Sequence, residues 1–187
     1  MACVCGRKRS GTAMRQIMIG SAALLSMTLG AEAAPGALIG KSITVSWTET
    51  RSQRDAGEAA FRPVSIPYTL TVYFGTGGHV FKRIFALAAS RRTSGSDDKV
   101  GGGGGPNVSF SGNTLVATNS FGGAARRIQV TFDGGFSGCS AQVVTAKVAG
   151  AKTAMVKSIA TGGMVEFESV SAGSATCAIA QGNPFAN

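Results

Sequence analysis

The chain has 187 residues, with 18 Lys and Arg against 9 Asp and Glu, one His and four Cys. That length suits a single domain. One His and few acids argue against zinc sites and His-based catalysis, while the charge of +9 favours anionic partners.

Arg7, Lys8, Arg9 and Arg15 precede an apolar run from Ile17 to Leu29, which ends in Ala31-Glu32-Ala33. Basic, apolar and small residues in that order form the pattern of a secretory signal peptide, with cleavage expected after Ala33. The run is about 13 residues where a membrane span needs about 20, so it reads as a leader rather than an anchor. A lipoprotein anchor would need a Cys where Ala34 stands. A leader beginning at Met14 has more usual proportions, which makes Met14 an alternative start. Residues 34–187 are then expected in the periplasm or outside the cell, with no membrane span left after cleavage and no access to ATP.

Cys3 and Cys5 fall in the leader, leaving Cys139 and Cys177. Two cysteines in an oxidising compartment predict one disulfide. The rival arrangement, a Cys nucleophile with His79 as base, is disfavoured because export oxidises an available pair. After cleavage fourteen basic and eight acidic side chains remain, a surplus of six. That surplus favours anionic partners such as lipid headgroups, acidic polysaccharide or nucleic acid without selecting one, and solubility alone is the plainer reading of it. The expected partner is an anionic envelope component or another protein.

Beyond the leader, period-two alternation dominates. Ile43, Val45 and Trp47 alternate with Thr44, Ser46 and Thr48, which reads as a half-buried strand. Tyr68, Leu70, Val72 and Phe74 alternate in the same way, and Gly75-Thr76-Gly77-Gly78 leads into a second arm through Val80 to Phe85, a hairpin signal. Val108–Phe110 and Thr114–Thr118 flank Ser111-Gly112-Asn113, a second hairpin. Ile128, Val130 and Phe132 alternate before Asp133-Gly134-Gly135; Ala141–Val148, Met164–Val170 and Thr176–Ile179 complete the set. Ala151–Ile159 is short and ambiguous. The expected fold is all-β: one antiparallel sandwich or small barrel of about eight short strands, closed by Cys139 and Cys177, with little helix. Ser90–Asn107, with Gly101–Gly105 and almost nothing apolar, reads as a mobile loop.

Trp47, Glu49, Arg51 and Arg54 are the candidate ligand-cleft residues. Strand alternation puts Trp47, Glu49 and Arg51 on one face. The plainer reading is a strand end emerging into water, with Glu49 and Arg51 as a rim ion pair worth at most about 1 kcal/mol. Arg126 and Arg127 should point to opposite faces of a strand and so cannot line one groove. Glu166 and Glu168 share a face, and a wet strand face explains them without catalysis. His79, beside glycines, reads as an exposed turn residue. Gly36-Ala37-Leu38-Ile39-Gly40-Lys41-Ser42 has three residues between its glycines where a phosphate loop needs four, and it enters a strand instead of a helix. No catalytic constellation, cofactor motif or metal-ligand spacing stands out, and nucleic acid is not an expected partner because basic and aromatic residues do not share a face.

The residues Gly123 to Ile128, Phe132-Asp133, Phe136 to Ala141, Cys177 and Gly182-Asn183-Pro184-Phe185, with Gly40-Lys41-Ser42, Trp47 and Arg51, cover most of the chain beyond the leader. In this pattern the chain resembles a group of small exported bacterial proteins, of proteobacterial type, with no assigned activity. The resemblance implies export and a disulfide and carries no catalytic residue. The expected function is that of a non-enzymatic exported domain acting at the cell envelope. The alternatives are a hydrolase of envelope or extracellular polymer, and a small outer-membrane barrel.

Overall fold

In the computed structural model, which describes residues 34–76, 80–88, 91–99, 107–158 and 162–186, the alternation becomes eleven strands in two antiparallel sheets. Residues 1–33, where the leader is expected, His79 and Gly101–Gly105 lie outside the described residues.

The large sheet is built round β1 (Lys41–Asp55), which pairs along one side with β2 (Arg62–Phe74). Outward from β2 follow β3 (Val80–Ala88) and β4 (Arg91–Lys99). The other side of β1 is shared. Its first half pairs with β11 (Thr176–Gln181) and its second half with β10 (Met164–Ala172), which in turn carries β9 (Ala154–Lys157). Gly173 spans the break between β10 and β11, donating its N–H to the Thr48 carbonyl at 2.8 Å. The small sheet is a meander of β5 (Asn107–Ser111), β6 (Thr114–Phe121), β7 (Ala124–Phe132) and β8 (Cys139–Lys147). Its β6–β7 turn is Gly122-Gly123, both at positive φ, as a two-residue hairpin turn of this hand requires.

Strand count and lengths exceed the expectation. β1 runs fifteen residues and β2 thirteen, because the chain stays extended through Glu49 and Arg51 instead of ending there. Arg91–Lys99 is a strand paired with β3, within the segment whose composition points to a loop. An edge strand needs only backbone hydrogen bonds along one side and is commonly polar, so composition does not reveal it. The ambiguous stretch after Ala151 holds the four-residue β9.

Facing rows of alternate residues make the core. Ile43, Val45, Trp47, Leu70, Val72 and Phe74 from the large sheet meet Leu115, Ile128, Val130 and Phe132 from the small one. Each such side chain fully buried contributes about 1.5–3 kcal/mol. The sequence Gly36–Leu38 forms a single 3₁₀ turn that plugs Leu38 into this core, and Lys41 donates to the Phe136 carbonyl at 3.3 Å.

Cys139, opening β8, is bonded to Cys177 in β11, so one covalent link joins the two sheets. Asp133 holds the turn before Cys139, accepting from the Gly135 and Ser137 amides and the Ser137 hydroxyl. The bond closes a separation of 38 residues, which chain entropy values at about 4 kcal/mol. Replacing both cysteines by Ser is expected to lower the unfolding free energy by about 2–4 kcal/mol, read as a shifted urea midpoint with the slope near that of the parent.

Candidate functional site

Trp47, Glu49 and Arg51 project from β1 towards the small sheet, and the structure seals them. Glu49 is 0% exposed, Arg126 2% and Arg51 4%. The expectation of a solvent-exposed rim pair is therefore overturned. The strand end is roofed by Phe121 at the end of β6, by Arg126 of β7 and by Phe167 of β10.

The Glu49 carboxylate is shared among four donors. Oε1 accepts from Arg126 Nε at 2.6 Å, from the Thr145 hydroxyl at 2.8 Å and from the Trp47 indole at 3.4 Å. Oε2 accepts from Arg51 Nη2 at 3.0 Å, and the same nitrogen donates to the Tyr68 hydroxyl at 2.7 Å. Aromatic rings surround the two guanidinium groups. Trp47 stacks on Tyr68, and the Arg126 guanidinium carbon lies 4.3 Å from the Tyr68 ring centroid and 4.5 Å from that of Phe121. Arg51 lies 5.2 Å from the centroids of both Phe121 and Phe167. Ring faces attract cations, so they replace part of the hydration the two arginines have lost.

Burial alone would raise the Glu49 pKa. The hydrogen bond and charge of Arg126, with Thr145 and Arg51, outweigh it and hold the carboxyl below its ordinary 4.5. Among the described residues, three buried side-chain atoms keep no hydrogen-bond partner: Arg51 Nε, Arg126 Nη2 and Gln53 Oε1.

Arg54 does not join this group. It lies on the other face of the sheet, beneath Phe61, where its guanidinium meets Glu166 across β10 at 2.7 Å. Glu166 is accordingly held low, by hydrogen bonds from Thr153 and Arg54 against a small cost of burial. Glu168 accepts from the Ser52 hydroxyl at 2.8 Å and is exposed. Glu166 and Glu168 thus lie on a solvated face while Val165 and Phe167 are buried. Arg126 and Arg127 point to opposite faces, as strand geometry requires.

Arg126 and Thr145 are the members that the sequence reading missed. One signal was present: Arg126 is the single charge in the row Ala124, Arg126, Ile128, Val130, Phe132, all of which are buried. A charge in an apolar row asks for a buried partner.

The outward face of the small sheet carries a separate feature, an open concavity of about 540 Å³. Arg127 is at its middle. Asn107, Thr118, Arg127 and Val144 form one row across β5, β6, β7 and β8, with Ser120 and Ala146 beside it. Among the described residues, no group of three or more His, Cys, Asp or Glu is placed to hold a metal ion. Comparison with family models, curated proteins and solved structures finds no match to this chain.

Removing one partner from a buried ion cluster leaves charge uncompensated, so Glu49→Leu is expected to cost about 3–5 kcal/mol. The triple change Glu49→Leu, Arg51→Met, Arg126→Met removes all three charges and is expected to unfold at higher denaturant than Glu49→Leu alone. Urea titrations of the two variants measure the difference.

The pH dependence has a defined sign. The folded-state pKa of Glu49 is depressed, so its contribution is complete above the ordinary value of 4.5 and disappears as pH falls through the lower folded value. Circular dichroism during acid titration is expected to show the parent losing stability below about pH 4.5, with a shallower loss for Glu49→Gln.

Proposed function

We propose that the chain is an exported, non-enzymatic β-domain that binds an anionic component of the cell envelope. The observation that carries this reading is the state of Glu49. A carboxylate at 0% exposure, with four donors of its own protein on its oxygens, neither reaches a substrate nor exchanges a proton with one. The most elaborate polar constellation among the described residues therefore works as an internal strut.

The basic, apolar and small order of residues 1–33 supports export, as does the closed Cys139–Cys177 pair in a chain of this composition. The surplus of basic side chains after the leader supports an anionic partner. Polarity favours a water-soluble domain over a lipid-embedded barrel. Ile128, Val130 and Phe132 are buried, whereas Arg127 and Thr131 on the opposite face of β7 are exposed. A membrane barrel presents its apolar row outward.

Native material is expected to begin at Ala34, to lack free thiols and to fractionate with the periplasm or medium, as intact-mass analysis and thiol labelling will show. It is also expected to bind a sulfated-polysaccharide column and to elute with salt. An untrimmed amino terminus overturns the export reading. Flow-through at low ionic strength overturns the anionic partner.

A further inference from the structure

The strands of the small sheet, β5 to β8, carry the basic side chains Arg126, Arg127 and Lys147 and no acid. Arg126 is turned inward and is neutralised by Glu49. Arg127 is exposed at the middle of the 540 Å³ concavity, and among the described residues no carboxylate pairs with it. Its side chain donates a hydrogen bond to Gln129 Oε1 at 3.3 Å. By contrast, Arg54 and Arg62 on the large sheet are each paired with acids.

The lining has a definite chemistry. Asn107, Thr118 and Ser120 offer amide and hydroxyl groups round the guanidinium, while Val144, 54% exposed, and Ala146 supply a small apolar floor. A second depression of about 180 Å³ shares Arg127 and Val144 and continues past Gln129 and Gln142. The volume falls within the range of about 300–1,000 Å³ usual for small-ligand sites, and the extension suits a ligand longer than one ring.

We infer that this face binds an acidic saccharide, with Arg127 holding a sugar carboxylate. A guanidinium offers a carboxylate two parallel N–H donors. The hydroxyls and amides match sugar hydroxyl groups, and Val144 packs against the C–H face of a ring. The same lining disfavours other anions. Phe110, Phe121 and Phe132 of the small sheet all pack inward, so the face has no ring on which a nucleobase stacks. Its apolar groups are too small to insert into a bilayer interface. The inference rests on the envelope-binding reading and names the site and ligand class for it.

The test is titration of the purified protein with a galacturonic acid tetrasaccharide, followed by backbone NMR and calorimetry. Amides of β6, β7 and β8 round Arg127 are expected to shift. Arg127→Gln is expected to weaken binding by at least about tenfold, with an unchanged melting temperature because the side chain is exposed. Arg62→Gln, on the large sheet, is expected to bind as the parent does, and a galactose tetrasaccharide about tenfold more weakly than the acidic one. Equal affinity of the parent and Arg127→Gln overturns the inference, as does failure of the parent to bind the tetrasaccharide. Tighter binding to anionic vesicles or to single-stranded DNA at equal charge also overturns it. In each case the envelope-binding reading is judged separately, by the salt-reversible column retention.

Discussion

The arrangement of the two sheets depends on where one carboxylate finds its donors. Glu49 on the central strand of the large sheet is bonded to Arg126 and Thr145 on neighbouring strands of the small sheet. A buried ion cluster is weak evidence of net stability, because desolvation of its charges offsets much of their attraction. Its geometry also restricts which packing is allowed. A one-residue slip of β7 would turn Arg127 inward and Arg126 outward, and would bring Ile128 and Val130 into water. Apolar contacts alone tolerate small sliding. A carboxylate with 2.6 Å and 2.8 Å bonds across the interface does not.

The two sheets are therefore clamped at opposite ends by different chemistry. Cys139 pairs with Phe132 at one end of the β7–β8 ladder, and Thr145 pairs with Arg126 towards the other. The disulfide holds the first end covalently, and the Glu49 cluster holds the second by charge. Between them lies the apolar core, where Phe110 stacks on Phe132 and meets Phe74 edge-on. This division leaves the outward face of the small sheet free of any internal duty. Its side chains are small polar groups with Val144 and Ala146 among them, and among the described residues its central cation, Arg127, meets no carboxylate.

Much of this was legible before any coordinates. Alternation identified the apolar rows of β1, β2 and β7, and cysteine parity identified the bond between Cys139 and Cys177. Glu49 and Arg51 were placed on the correct face but given the wrong surroundings, because strand periodicity reports direction and not what lies opposite. Met164 to Val170 shows a different limit. Its alternation fails after Phe167, since the register against β1 shifts there and leaves both Glu168 and Ser169 exposed before Val170 turns inward. Such a bulge is invisible to simple periodicity. Strand β4 was hidden because edge pairing draws on the backbone, which every sequence has alike.

The split pairing of β1 bears on how the chain must assemble. Ser42 and Ala180 share a hydrogen bond across 138 residues, and β11 holds the opening half of β1 on one side. As the chain emerges from a ribosome or a translocation pore, the first strand made waits for the last. Until then its flank is an open edge, able to capture a strand from another molecule. Contacts of such sequence separation make folding slow, so the nascent protein passes through a long interval in which helpers that mask bare strands have the most to offer.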